Sequence, residues 1–486
     1  MGELRLLVTG ASGYIGGNLV PRLLEAGYPV RVLARDPARL RGRAWLPLVQ
    51  VAVGDVLAPE TLPAALAGID VAYYLVHSLY AGSTFSQLDL TAARNFGAAA
   101  RAAGVQRIIY LGALGDPASK LSPHLRSRQA TADALREAGV PVTEFRAGII
   151  IGSGSGSFEM IRYLTERIPL LVCPPLILRR IQPIAIHNVL DYLVSALEVP
   201  ASVGRTIEIG GADVLTYGST LLGYAKVRGL RRRLLPVPFL TPGLAALWIS
   251  MLTPVSSRIA QPLLEGLHND VVVRDPAARE LFPDIQLLDY QTALLVALSH
   301  LHPEKVDTAW IDAQKRRGGE DTPVTLSCEG MFVDRLYRTI AAHPTVVCSI
   351  LAGLGGEMGW LYANWAWRMR GLVDYLLGGR YNRTKRDPYD IRVGDTLDFM
   401  RVEALEPGQL VRLRDEYNPA GSFWLQWEAQ LLSDGRTRLI QTIFFAPRGV
   451  WGLVYWTLFY GLHARIFAGL LREIGRQAEA CGRPAV

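Results

Sequence analysis

The sequence predicts an α/β protein, a doubly wound parallel sheet carrying a small substrate subdomain, followed by a separate α+β domain. Three observations lead there. A short apolar run, Leu4 to Val8, breaks at Thr9-Gly10 and gives way to helical spacing at Tyr14, Leu19, Leu23 and Leu24, with Gly10, Gly13 and Gly16 between them. Strand-like and helix-like stretches then alternate as far as Gly211. Beyond residue 323 the pattern changes to long alternating strands, separated by turn signals and ended by one long helix.

Leu4 to Val8 is the first strand, and the glycine turn leads into the first helix. That spacing makes a tight strand-to-helix turn in which backbone nitrogens and the helix N-terminus can meet a pyrophosphate. Gly10, Ser12, Gly13, Tyr14, Ile15 and Gly16 are therefore candidate dinucleotide contacts. Tyr28 to Ala34 is the second strand. An acid commonly ends it to hold ribose hydroxyls, but here Ala34 is followed by Arg35, whose guanidinium suits a 2′-phosphate. NADP is the expected cofactor, with NAD as the alternative, held through the adjacent Asp36. Leu48 to Val53 is a third strand closed by Gly54-Asp55-Val56, where Asp55 and Val56 are expected at the adenine edge. Val71 to Val76 is a fourth, ending at His77-Ser78, and His77 joins the cofactor candidates. A helix from about Gln87 to Ala103 and strands at Arg107–Leu111, Val142–Phe145 and Thr206–Gly211 complete the pattern. In such a sheet the ligand lies at the C-terminal strand ends, where all these candidates fall.

The segments T-G-A-S-G-Y-I-G, G-D-V after the third strand and F-R-A-G-I-I-I-G after the sixth resemble the extended or atypical branch of the short-chain dehydrogenase/reductase superfamily. The resemblance spans about residues 1–302, with a substrate subdomain over about 153–302. It extends to NmrA-like proteins and to the dehydrogenase-like accessory subunit of respiratory complex I. It implies a Rossmann sheet and carbonyl reduction by a Tyr-x-x-x-Lys pair. The corresponding window, Leu121 to Arg136, has no tyrosine. His124 and Arg128 keep the four-residue spacing and are the candidate catalytic pair, His124 as acid and Arg128 as a positioner that also contacts the cofactor. Ser122, Ser127 and His77 are further proton-relay candidates. Arg146-Ala147-Gly148 is expected beneath the nicotinamide, with Ala147 a cofactor contact, and Gly152 to Phe158 is expected to form a mobile rim of the substrate cleft.

Leu234 to Ser257 carries no charge and follows the basic group Arg228, Arg231, Arg232 and Arg233, but prolines interrupt it at 236, 238, 242 and 254. It reads as a substrate-domain lid rather than a membrane span, with an interfacial segment whose arginines sit at headgroup level as the alternative. Residues 303–323 are rich in charge and form the expected linker. Strands are expected at Thr396–Val402, Leu410–Asp415, Phe423–Leu432 and Thr437–Phe445, preceded by short helices between about Asp334 and Leu376 and followed by a helix from about Gly449 to Ala480. Residues 324–486 together look like a START or polyketide-cyclase helix-grip fold. Gly355 to Trp360, Arg370 to Asp374, and Phe445 to Gly449 with Tyr455-Trp456 and His463 resemble an uncharacterised bacterial domain often fused behind such dehydrogenases. Trp360, Trp365, Trp367, Trp424, Trp427 and Trp456 are expected to line a cavity there or to form a solid core. The basic loop Arg380, Arg383, Lys385, Arg386 reads as solvated surface.

Composition sets the remaining bounds. Half the residues are hydrophobic and 20% charged, and a net charge of +7 without a long basic block argues against a nucleic-acid partner. Association with an anionic membrane surface stays open. Cys173, Cys328, Cys348 and Cys481 lie far apart with no C-x-x-C, which fits free thiols in a reducing, cytoplasmic setting. The glycine turn follows the apolar start at once, so no signal peptide is expected. No metal site is expected, since nothing completes the H-x-H of His300 and His302. These readings converge on an NADP-binding oxidoreductase for an apolar carbonyl or enone. Two alternatives remain: a catalytically silent cofactor-binding scaffold or redox sensor whose C-terminal domain binds a hydrophobic ligand, and an accessory protein at the membrane surface.

Overall fold

The computed structural model describes residues 4–40, 43–77, 85–116, 118–237, 268–299, 324–328, 331–355, 359–376, 391–416 and 418–481. These fall into two compact units, one up to residue 299 and one from residue 324. The expected linker, the basic loop at 380–386, the histidines at 300 and 302, and the expected lid beyond residue 237 lie outside the described residues.

In the first unit, strands β1 (Leu6–Thr9), β2 (Val30–Ala34), β3 (Gln50–Val53), β4 (Val71–Tyr74), β5 (Arg107–Ala113), β6 (Val142–Ala147) and β7 (Thr206–Ile209) form one sheet in the order β3-β2-β1-β4-β5-β6-β7. All its pairs are parallel, with Leu6 opposite Val30 on one side and Val71 on the other. Strands covered on both faces need near-continuous apolar runs, and all four residues of β1 are buried. Helices α1 (Tyr14–Glu25) and α5 (Ile186–Ser195) cover one face through Leu19, Val20, Leu23, Val189 and Leu193. Helices α2 (Phe85–Ala102) and α3 (Pro123–Arg136) cover the other through Ala93, Phe96, Ala132 and Leu135. Each fully buried leucine contributes about 2 kcal/mol, and truncating Leu6 to alanine would cost about 2–5 kcal/mol. The order reverses between β1 and β4, so a cleft opens at their C-terminal ends.

A smaller apolar cluster joins α4 (Gly156–Arg167), α6 (Tyr217–Val227) and α7 (Tyr290–Ser299) through Phe158, Ile161, Leu221, Tyr224 and Leu294. The C-terminal end of β6 leads into α4 through a short strand, Ile150–Ile151. The start of the expected lid is a strand, Arg233–Pro236, paired in parallel with Leu170–Cys173.

The second unit is an antiparallel sheet of β8 (Val324–Cys328), β9 (Met331–Ile340), β10 (Thr396–Leu397), β11 (Met400–Glu406), β12 (Leu410–Asp415), β13 (Gly421–Leu431) and β14 (Thr437–Pro447), ordered β8-β9-β14-β13-β12-β11-β10. Helices α8 (Pro344–Ala352), α9 (Asn364–Leu376) and the 33-residue α10 (Gly449–Cys481) accompany it. Ile466, Phe467, Leu470 and Ile474 of α10 share one core with Ile340, Leu413, Leu425 and Ile443 of the strands.

Two expectations are corrected here. Residues from Asp334 to Ile340 form strand, not helix; buried Asp334 and Arg335 mask the apolar alternation of β9. The segment Thr396–Val402 is not one strand, because Asp398 adopts φ 53° and turns β10 back on β11, while its carboxylate accepts from Trp360 Nε1 at 2.8 Å. Most of the tryptophans are core. Trp360 stacks on Trp367 at 4.2 Å, Trp456 on Phe445 at 5.0 Å, and buried Trp427 donates to Gln441 at 2.9 Å. Trp424 is buried, Trp365 is exposed, and Trp367 lines a cavity.

Candidate functional site

The glycine turn uses its three glycines differently. Gly10 has φ +69°, and a Cβ there would lie 2.6 Å from the Leu75 carbonyl oxygen. A Cβ on Gly16 would lie 2.5 Å from the Gly10 carbonyl oxygen. Both are required by the approach of β1, its turn and α1 to their neighbours. Thr9 secures the same turn by donating to the Tyr73 carbonyl and accepting from the Leu75 N–H, each at 3.0 Å. Gly13 is different. Its Cβ would meet the Gly10 oxygen at 3.2 Å and otherwise open space. It is the N-cap of α1 with no side-chain cap bond, and Ser12 and Gly13 are exposed. The helix therefore presents an uncapped, accessible N-terminal turn, the donor set that a diphosphate requires.

Arg35 leaves the end of β2 with its side chain 65% exposed and a guanidinium nitrogen 3.9 Å from Asp55. Asp36 accepts from the Ala38 N–H at 2.9 Å, which commits one of its oxygens to the following turn. Asp55 accepts from the Leu57 N–H at 3.0 Å and Val56 is buried, its carbonyl taken by Asn95 at 3.0 Å. A second cation, missed in the sequence, stands beside α1: an Arg43 nitrogen comes within 3.4 Å of where a Gly17 Cβ would be.

At the ends of β4 and β5 the chain assembles a polar cluster. His77 Nδ1 donates to buried Asp89 at 2.8 Å, and the His77 and His124 rings stand 5.3 Å apart. Arg128 donates to the Leu111 carbonyl, lies 4.8 Å from the centre of the Tyr110 ring, and its own carbonyl accepts from the Tyr110 hydroxyl at 3.0 Å. His77 Nε2, His124 Nδ1, Ser127 Oγ and Arg128 Nη1 are buried with no hydrogen-bond partner. A buried polar group left unmade costs about 1–3 kcal/mol, so four together mark a place shaped for something other than stability. Burial, helped by His77 and Arg128, pushes His124 down to about 3. Burial also lowers His77, against the pull of Asp89. His124 is therefore uncharged at pH 7, and it can meet the expected acid role only as a neutral N–H donor. Ser122 caps α3, accepting from the Leu125 N–H at 3.3 Å.

His124 also faces a cavity of about 160 Å³ lined by Ala113, Ala147, Gly148, Met160, Ile181 and Tyr217 among others. Ala147 is thus beside His124, whereas Arg146 turns away to Glu144 at 2.9 Å, a buried carboxylate that also holds Arg136. The Gly-Ser segment after β6 does edge this cavity, through Ser157. It is tied down: Ser155 donates to the Ile150 carbonyl at 2.9 Å and the Gly154 N–H to Glu159 at 3.0 Å. Three contributors to this cluster and cavity, Asp89, Tyr110 and Tyr217, were not among the residues expected from the sequence. Asp89 had a visible signal, a carboxylate on the apolar stripe of α2 between Phe85 and Ala93, whereas Tyr110 and Tyr217 had none.

Residues 10–163 match a family model described as NAD(P)H-binding, and residues 329–470 match one described as Protein of unknown function (DUF2867). The ceramide reductase of Caulobacter vibrioides is 30% identical over 275 residues, covering 54% of this chain and 84% of that enzyme. The chain belongs to the NAD(P)H-binding, short-chain dehydrogenase/reductase-type family. A (4-alkanoyl-5-oxo-2,5-dihydrofuran-3-yl)methyl phosphate reductase of Streptomyces griseus is 27% identical over 291 residues, 58% of this chain and 92% of its own. The Citrobacter sp. triphenylmethane reductase, solved with NADP(H), shares the fold at TM-score 0.50 and 20% identity, over 60% of this chain and 99% of its own. NAD(P)H is accordingly the cofactor of the first unit. Among the described residues no helix is long and apolar enough to cross a membrane.

Proposed function

We propose that the first unit is an NADPH-dependent reductase of an apolar carbonyl or enone. The observation that carries the reading is that His124 belongs both to the cluster of unpartnered polar atoms and to the lining of the apolar cavity. Gly10, Ser12, Gly13, Tyr14, Ile15 and Gly16 would hold the diphosphate, Arg35 the 2′-phosphate, Asp55 and Val56 the adenine edge, and His77, Arg128 and Ala147 the nicotinamide end. NADPH supplies the hydride when bound.

The residues of the chain provide the rest. The cavity wall takes the apolar part of the substrate and excludes water. Arg128 Nη1 and the neutral His124 ring point the site's unmet hydrogen-bonding capacity at the substrate oxygen, where negative charge grows as the carbonyl is reduced. A neutral imidazole can polarise a carbonyl in this way without being an imidazolium. The proton that balances the hydride would reach that oxygen from solvent through the His124 ring, which gives one ring proton as it takes another at its other nitrogen; His77, its Nδ1–H held by Asp89, stands beside it. Two relatives fit the substrate class by name, one a reductase of ceramide and the other of an alkanoyl-substituted furanone phosphate.

The second unit is read as a START-like helix-grip domain joined through 303–323; its antiparallel sheet and long C-terminal helix support that reading. The test is to supply NADPH deuterated at nicotinamide C4 with a panel of hydrophobic ketones, aldehydes and enones. Deuterium in a reduced product is the expected result. Uptake of NADPH with no transfer to any of them would favour the silent scaffold.

A further inference from the structure

The second unit encloses a cavity of about 380 Å³, within the range of roughly 300–1,000 Å³ typical of small-molecule sites. Trp367, Phe399, Phe423 and Phe467 supply apolar walls, and half-exposed Met369 and Phe459 form part of the lining near solvent. Its polar groups are Arg370, Asp415, Asn418, Tyr455 and His463.

Those groups form an ordered chain. Arg370 donates to Asp415 at 2.8 Å, and Asn418 donates to the same carboxylate oxygen at 3.2 Å. Arg370 also pulls the Tyr455 hydroxyl toward ionisation, against the larger effect of burial, which raises it. The Tyr455 hydroxyl and His463 Nε2 are 3.4 Å apart. Arg370 can only donate, so the acceptor within reach of the Tyr455 hydrogen is Nε2. His463 is uncharged at pH 7, since burial and Arg370 push it down to about 4. A neutral imidazole that accepts at Nε2 carries its hydrogen on Nδ1. That Nδ1 is buried and has no partner.

We infer that this cavity is a second ligand site, separate from the cofactor cleft, for an uncharged amphiphile: an apolar body bearing one hydrogen-bond-accepting oxygen, which His463 Nδ1–H receives. The charge balance selects the class. Asp415 neutralises Arg370, so a carboxylate or ammonium would enter an apolar cavity without a counter-ion, at a large desolvation cost. A ketone or alcohol oxygen completes the chain at no such cost.

The full-length protein is titrated with 2-dodecanone, dodecanoate and dodecane by calorimetry, in parallel with His463→Phe and Tyr455→Phe, each checked for an unchanged NADPH affinity and a cooperative melt. The site predicts saturable binding of 2-dodecanone and at least tenfold weaker binding of dodecanoate. His463→Phe should weaken the ketone at that site about tenfold, as expected for one buried hydrogen bond, and leave reduction by the first unit unchanged. Tyr455→Phe, which keeps the ring, should weaken it in the same direction and stands in should the His463 variant fail to fold. Equal binding of ketone and carboxylate, no ketone binding to the wild type, or equal ketone binding by wild type and variants would overturn the inference. Because both variants lie in the second unit, their failure leaves the reductase reading to its own deuterium test.

Discussion

The unequal jobs of the three glycines make a sharp prediction. Gly10→Ala forces a left-handed alanine, costing about 1–2 kcal/mol, and drives its Cβ into the Leu75 carbonyl, costing about 1–3 kcal/mol more. At roughly 2–4 °C per kcal/mol for a domain of this class, the first unit should melt about 5–15 °C lower. Gly13→Ala should behave otherwise. Gly13 sits at φ −87° and ψ 176°, a conformation alanine accepts. The loss of an N-cap glycine, about 1 kcal/mol, is largely offset by about 0.4–1 kcal/mol of reduced unfolded-state freedom. Its methyl group projects into the space where the diphosphate would lie. Disrupting one or two charge-assisted bonds there, about 1.5–3 kcal/mol each, should raise the NADPH Kd at least tenfold. Thermal melts by circular dichroism, paired with NADPH fluorescence titrations, separate the two variants. A folded Gly13→Ala protein that binds NADPH like the wild type would refute the reasoning.

Other consequences can be checked in the same preparations. Arg35→Ser should weaken NADPH about tenfold and leave NADH affinity unchanged, by fluorescence titration, as the 2′-phosphate role proposed for this exposed arginine requires. His124→Ala should abolish turnover in the carbonyl panel while NADPH still binds, since the polar cluster rather than the glycine turn loses a member. Acid should destabilise both units earlier than carboxylate titration would. His124 and His463 bind protons less readily folded than unfolded, so their contribution is present above about pH 6.5 and fades as pH falls toward about 3 for His124 and about 4 for His463. Each should remove about 1.4 kcal/mol per pH unit across that window. Denaturant melts from pH 7 to pH 5 should show the decline, and His124→Asn should make it shallower for the first unit, leaving the part due to His77.

Much of the fold is legible in the sequence, for physical reasons. The parallel strands were legible because burial on both faces writes apolar runs, and the turn at Gly10 because tight packing admits no side chain. The strand Thr437–Pro447 and the helix Gly449–Cys481 were legible from their period. Strand Met331–Ile340 was not, because Asp334 and Arg335 are buried within it and break the apolar pattern. The pairing of His77 with Asp89 joins the end of β4 to the middle of α2, and spacing along the chain carries no record of such a contact. Nor does composition reveal that His124 is uncharged, which follows from its burial.

The central claim is that an uncapped helix turn beside β1 receives the phosphates of NADPH. Equilibrium titration of the purified full-length chain with NADPH and NADH tests it most directly. The account predicts saturable binding of one cofactor per chain, with NADPH the tighter. Absence of saturable binding by either nucleotide to folded protein would contradict it.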